Sequence, residues 1–224
     1  IILNKRLSLC ADYVGGKGIS VDVGTDHAYL AGYPVLSNIC GKVIACDIND
    51  GPLVTARQTL VRYGIEDKVL LIKSDGLRNV PEENVTDVII AGMGGELISQ
   101  IIGGADWLKR GTNLVLQPMS RTSYLRKWLY RNGFMIKNEQ AVEDENKIYS
   151  VINAEFCGEY VDIDDYFAET GLLNPKNEIS KKYLYRQVKR LEISAREMFK
   201  SEIQKAKAEK FLILSQKIQR SLEE

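Results

Sequence analysis

The stretch VDVGTDHAYL, residues 21–30, sets Asp22, Gly24, Asp26 and His27 close together, and His27 is the only histidine of the chain. An apolar run that ends in a glycine turn and opens into a helix is where nucleotide-binding loops hold their ligand. A pyrophosphate loop needs three glycines at fixed spacing, so that the backbone can approach the phosphates. Only Gly24 fits that spacing. Asp26 stands where phosphate oxygens would lie, a costly contact between like charges. Asp22 and Asp26 together favour a ligand with positive charge and no phosphate. Asp26 also suits the N-cap of a helix starting near His27, and the two roles are compatible.

S-adenosylmethionine has the matching chemistry: a sulfonium, an ammonium and no phosphate. Other residues extend the same site. Asp47, with Ile48 beside it, ends the next apolar run about 20 residues on, where an acid takes ribose hydroxyls. Each such charge-assisted bond contributes roughly 1.5–3 kcal/mol. Asp47 equally suits an Asp-turn opening DINDG. Asp75-Gly76 closes a third run, where a carboxylate accepts from an adenine amino group. In AGMGG (91–95), Gly92, Met93 and Gly94 lead to Gly95, and the bare glycine backbone admits a flat base or the cofactor. LQPMSR (116–121) is a second wall, with Gln117 as a polar reader. His27 fits a catalyst and a loop-orienting residue alike; with no second His, no Ser/His/Asp set can be placed.

These residues need a scaffold that brings strand ends together. β-Branched runs at 18–23, 42–47, 68–75, 86–92 and 112–118 are apolar enough for parallel strands covered on both faces. Helix-like stretches at 2–14, 27–39, 51–63, 95–102 and 121–132 alternate with them. The order predicts a doubly wound α/β sheet. Residues 134–156 read as two strands around an acidic turn, an antiparallel hairpin at the sheet edge. Seven strands with such an ending fit a Rossmann-like methyltransferase sheet better than a six-stranded dehydrogenase one. From Lys176 to Glu224 there is neither Gly nor Pro. Leu184, Val188, Leu191, Ala195 and Met198 form a coiled-coil seam. Phe199, Ile203 and Ala206 begin a second stripe, and Phe211, Leu214 and Ile218 a third. A helical hairpin and a bent long helix both satisfy this pattern. The expected division is 1–158 for the sheet domain and 159–224 for the helical one.

Composition narrows the class. At 224 residues the chain holds one packed domain and an appendage. It opens on Ile1 rather than Met, so a few preceding native residues are expected. No run of about 18 apolar residues predicts a membrane span, and no signal-peptide pattern occurs. Cys10, Cys40, Cys46 and Cys157 form no CxxC pair, which argues for structural thiols in a reducing cytoplasm and against a metal site. Net charge is zero, but residues 1–175 carry 17 Lys/Arg against 23 Asp/Glu, and residues 176–224 carry 13 against 7. The basic tail fits either a polyanion or a solvated helix face.

In order, DVGTDHAYL, ACDIN, SDGL, VIIAGMGG, LVLQP and LRKWLYRNGF…KIY resemble the bacterial tRNA (adenine, N1)-methyltransferases acting on position twenty-two in the D-arm region. The likeness spans roughly residues 3–210 and includes the opening LNKRLSL. It implies a class I fold that uses S-adenosylmethionine, with Asp22, Gly24, Asp26, His27, Asp47, Asp75 and the Gly92–Gly95 turn around the pocket. Two departures stand out: AGYPVL interrupts the helix after AYL, and Met119 replaces the Asn often found after QP. Enzymes that methylate exocyclic amines use Asp/Asn-Pro-Pro-aromatic acceptors after the fourth strand; none occurs here. Adenine N1 has an in-plane lone pair and needs only positioning, with Asp26 as the catalytic candidate that stabilises developing positive charge. The target nucleotide must leave the folded tRNA, and phosphate contacts carry affinity. Candidates are Arg121, Arg126, Lys127 and Arg131 on one helix, and Lys181, Lys182, Arg186, Lys189 and Arg190 on the tail with Tyr183 and Tyr185. A monomer or a weak dimer through the tail is expected. Alternatives are a methyltransferase for a small molecule or protein, and a non-catalytic RNA-binding module of the same fold.

Overall fold

The computed structural model describes residues 1–223, with the Arg110 side chain left aside. Its elements run α1 (Lys5–Asp12), β1 (Ile19–Val23), α2 (Tyr29–Leu36), β2 (Lys42–Asp47), α3 (Asp50–Tyr63), β3 (Val69–Lys73), β4 (Val85–Gly94), α4 (Gly95–Gly103), β5 (Asn113–Ser120), α5 (Thr122–Arg131), β6 (Phe134–Asp144), β7 (Lys147–Phe156), α6 (Asp165–Thr170), α7 (Glu178–Met198) and α8 (Lys205–Ser221). The seven strands form one sheet in the order β3-β2-β1-β4-β5-β7-β6. β1 to β5 are parallel, and β7 runs antiparallel to both β5 and β6. The doubly wound sheet and its edge hairpin are therefore as the sequence predicts.

Strand cores are buried on both faces, which is why they read as unbroken apolar runs. On one face Ile98 and Ile102 of α4 and Leu125 and Leu129 of α5 join the core with Val21, Val88 and Leu114. On the other, Cys10 and Ala11 of α1 pack with Ile89 and Val115. Beside them Ala31 and Val35 of α2 and Ala56 and Leu60 of α3 pack with Val43 and Ala45. Asn4 caps α1 by accepting from the Leu7 amide at 2.9 Å.

Two expectations are sharpened. The helix after DHAYL is short: it holds Pro34 and ends at Leu36, and the Pro34 carbonyl accepts instead from the amides of Ile39 and Cys40. The tail is a hairpin of α7 and α8, not one bent helix, and Ser201–Gln204 form its corner. The seam residues Leu184, Val188 and Leu191 are buried with Ile218 of α8, with Phe211 and Leu214 packed on them, and Ala195 is buried as well. The seam is thus closed within the chain. Ile203 and Ala206 of the second stripe lie exposed near the corner.

Candidate functional site

All the candidate loops leave the sheet at the carboxyl ends of the parallel strands β1 to β5, the edge where open α/β sheets take ligands. After β1 the chain turns sharply: Gly24 has φ +78°, and the amides of Gly24 and Thr25 both donate to the Cys46 carbonyl of β2, at 2.8 and 3.0 Å. A side chain at Gly24 would collide with the terminal methyl of Met93, which lies over it. Ala28 at φ +54° then starts α2 without any side-chain cap. The N-cap role for Asp26 is therefore not what the structure uses. Asp26 is 78 % exposed at its side chain and pairs with His27 Nε2 at 3.3 Å. The His27 ring stacks on Tyr29, centroids 5.3 Å apart.

A cleft of about 310 Å³ opens here, lined by Asp22, Gly24, Asp26, His27, Gly92 and Arg6 among others. Asp22 is buried, and among the described residues no cation pairs with it. Burial pushes its carboxyl up to about 6, the Thr25 hydroxyl eases this in part, and the charge of Asp47 adds to it. An unpaired buried carboxylate is costly unless a ligand cation meets it. Arg6 supplies the opposite charge in the same cleft. Its Nη1 donates to Gln117 Oε1 at 2.6 Å, and that oxygen also accepts from the Gly92 amide at 3.0 Å. The residues present thus fit an α-amino acid zwitterion, with acid for the ammonium and guanidinium for the carboxylate. Sequence reasoning misses Arg6, because one arginine on a surface helix carries no motif; only its place in LNKRLSL pointed that way.

Asp47 and Ile48 stand at the end of β2, with Ile48 exposed. Asp47 Oδ1 accepts from the Asn49 amide at 2.7 Å, the Asp-turn anticipated from DINDG. A carboxylate has capacity for further donors. Asp75 pairs with Arg78 at 2.8 Å. Gly76, at φ +59°, turns the chain after β3 and lies close against Ile101 of α4. β4 continues as a strand through Gly92, Met93 and Gly94, with irregular register against β5. Such bulges concentrate beside functional sites. Gly94 and Gly95 let β4 lie against the segment after β5: a Cβ on Gly95 would meet the Arg121 carbonyl at 2.5 Å.

Two readings are corrected. Gln117 is fully buried and uses its Nε2 on the Pro118 carbonyl at 3.0 Å. It braces Arg6 and Gly92 rather than reading a ligand. Arg126 cannot reach RNA. It is fully buried, with Nη2 2.6 Å from Glu139 Oε1 and Nη1 on the carbonyls of Ala168 and Glu169. Burial is the largest influence and works against its charge, but Glu139, helped by Tyr183 and Glu169, outweighs it in sum, so the guanidinium stays ionised. Its helical phase points it into the core, a fact that a count of basic residues on α5 does not reveal. Tyr183 of the tail is likewise core.

The other basic candidates are exposed or half-buried, but most have partners. Lys127 pairs with Asp165 and Arg131 with Asp162, tying α5 to the start of α6 and to the segment before it. Lys182 pairs with Glu143, and Lys189 with Glu192. Lys181 is half-buried on α7. Arg121, Arg186 and Arg190 border a separate groove of about 650 Å³ between the end of β5, the β7 strand and α7. The thiols of Cys10 and Cys46 are pushed up to about 12 by burial and are inert. Among the described residues no His, Cys, Asp or Glu cluster is placed to hold a metal, and no helix is long and apolar enough to cross a membrane.

Comparison with known proteins agrees with this geometry. Residues 3–152 match the family model described as "Methyltransferase domain". The tRNA (adenine(22)-N(1))-methyltransferase of Bacillus subtilis (strain 168) is 35% identical over 154 residues, 68% of this chain and 65% of that protein. The alignment therefore spans slightly under two thirds of that relative's length. The crystal structure of Bacillus subtilis TrmK, a tRNA methyltransferase, superposes with a TM-score of 0.86 at 27% identity, covering 97% of this chain and 98% of that one. Streptococcus pneumoniae Sp1610 in complex with S-adenosyl-L-methionine gives 0.84 at 27% identity, covering 97% and 99%.

Proposed function

The chain belongs to the methyltransferase-domain family, and from that premise we propose that it transfers a methyl group from S-adenosylmethionine to N1 of an adenine in the D-arm region of tRNA. The observation that carries this reading is the cleft lined by both Arg6 and the buried Asp22, which has no cation partner among the described residues. Asp22 holds the ammonium of the methionine end and Arg6 its carboxylate. Asp47 takes the ribose and Asp75 the adenine amino group, with Ile48 against the adenosine and the Gly92–Gly94 backbone beside the reacting centre.

The cofactor supplies an electrophilic methyl on a sulfonium. Adenine N1 forms the new N–C bond as the S–C bond breaks, and the positive charge passes from sulfur to the adenine ring. No base is needed, because N1 carries no proton and the product stays cationic. The chain's task is to hold N1 in line and exclude water, which is positioning catalysis. Asp26, exposed at the cleft mouth, stabilises the developing charge electrostatically; His27 holds Asp26 by their contact. Arg121, Arg186 and Arg190 contact tRNA phosphates, and Lys127, Arg131, Lys181, Lys182 and Lys189 extend the basic surface. Residues 1–158 form the catalytic unit and 159–224 the helical unit that supports tRNA. The protein acts in the cytoplasm, as a monomer or a weak dimer, without a metal.

The test is to incubate the protein with labelled S-adenosylmethionine and unmodified bacterial tRNA, then locate the methyl group by nuclease digestion and mass spectrometry. Methyl on adenine N1 in the D-arm is expected. Cofactor binding without transfer to tRNA overturns the substrate assignment and turns the search to small-molecule or protein acceptors.

A further inference from the structure

The groove beside the cofactor cleft has a chemistry of its own. Its lining includes Pro118 and Met119 at the end of β5, Tyr124 on α5 and Tyr149 on β7. Met119 is 48% exposed and Tyr124 44%, so apolar surface is left bare in a place where Lys147, Arg121, Arg186 and Arg190 stand around it. Some of these cations are held in place: Arg190 pairs with Glu169 at 2.6 Å, Arg121 with Glu96 at 3.2 Å, and Arg186 donates to the Asn146 carbonyl at 3.0 Å. Aromatic and thioether surface inside a cationic rim matches an unstacked nucleotide, whose base wants a flat face and whose flanking phosphates want cations.

The groove and the cofactor cleft share a wall. Arg6 lines the cleft, and its guanidinium carbon sits 5.5 Å from the centre of the Tyr149 ring. Gln117 pins Arg6 from below, at 2.6 Å. The end of β5 that lines the groove also pairs with the glycine strand of the cleft, Met93 opposite Pro118 and Gly94 opposite Ser120. Arg6 thus touches both the Tyr149 ring and the cofactor cleft, so a base held against Tyr149 stands at the edge of that cleft.

We infer that Tyr149 is the stacking platform for the base of the target nucleotide, opposite Tyr124 and Met119, and that Arg6 fixes the Tyr149 ring relative to the cofactor. This rests on the tRNA reading above. Alkylation of N1 makes the base cationic, and an aromatic face stabilises a cation more than a neutral ring. Tyr149 thus acts in the transition state as well as in binding, so its loss lowers kcat as well as raising KM.

The wild-type chain is tested first, with tRNA carrying 8-azidoadenosine at the methylated position. Irradiation is expected to cross-link that nucleotide to the peptides of Tyr149, Tyr124 or Met119. A cross-link confined to any other part of the chain overturns the proposal, and this readout needs no variant to fold. Tyr149→Leu then removes the π face while keeping apolar volume. It is expected to lower kcat/KM for tRNA about 10-fold or more, with a fall in kcat, while the calorimetric affinity for S-adenosylmethionine stays within about two-fold. Tyr149→Phe is expected to recover most of that loss. Equal transfer by wild type and Tyr149→Leu overturns the platform role. Absence of any adenine N1 methyl with the wild-type protein overturns the function itself, which is a separate failure.

Discussion

Two buried charges in this molecule are treated in opposite ways. Arg126 is enclosed on every side. Its Nε, Nη1 and Nη2 all donate, to the Glu139 carboxylate and to the carbonyls of Ala168 and Glu169, and Glu139 in turn accepts from the Ser150 hydroxyl and from the Leu172 amide at 3.1 Å. Gly171 is needed there, since any side chain would strike Glu139. This node welds α5, β6 and the segment before α7 into one piece. Asp22 is buried too, yet no cation pairs with it among the described residues. Desolvation pushes its carboxyl up to about 6. A charge that the protein satisfies is structural; a charge that it buries and leaves open is held for something that arrives later.

The comparison can be broken in several ways. The largest expected effect is at the satisfied node. Arg126→Ala leaves Glu139 buried and unpaired, and should cost about 3–5 kcal/mol of folding stability, measured by denaturant titration. A loss under about 1 kcal/mol would show that the node is not a weld. Next, Asp47→Ala should lower affinity for S-adenosylmethionine ten-fold or more, on the order of 1.4 kcal/mol; unchanged calorimetric binding would remove the ribose assignment. The pH dependence sharpens the role of Asp22. Its folded-state pKa lies above the ordinary 3.8, near 6, so the folded chain binds the extra proton in that window and stability falls as pH rises through it. A ligand ammonium favours the ionised form. Cofactor affinity should therefore be full above about pH 6 and drop up to about ten-fold per unit below it, as read by titration at fixed ionic strength. The smallest effect is at the surface. Arg131→Ala removes the exposed pair with Asp162 and should change stability by less than about 1 kcal/mol. If Arg131 also contacts a phosphate, the salt slope of tRNA binding should fall by about 1.

Much of this was legible before the fold. Parallel strands announce themselves as apolar runs between glycine or aspartate turns, because both of their faces are covered. The order of Asp22, Gly24, Asp47 and Asp75 at run ends was readable for the same reason: strand ends of one parallel sheet meet at one edge. What stayed hidden depends on where a side chain points. Arg126 and Arg131 lie on the same ten-residue helix, yet one is core and the other surface, and neither residue type nor charge count separates them. Arg6 and Tyr149 are over a hundred positions apart and meet only because α1 docks beside the edge hairpin. Asp26 looked like a helix cap because Asp before a helix usually is one, but the loop extends two residues further and α2 starts at Tyr29. The tail's seam was correct in pattern, and its partner was α8 of the same chain.

The most direct test is the paired measurement of stability and cofactor binding for Asp22→Asn at pH 7. The substitution keeps the shape and removes the charge. If Asp22 is reserved for the cofactor, the thermal midpoint rises, while calorimetric affinity for S-adenosylmethionine falls by about 10- to 150-fold, the equivalent of a charge-assisted bond of about 1.5–3 kcal/mol. Unchanged affinity, or a fall in stability together with unchanged affinity, would contradict the account.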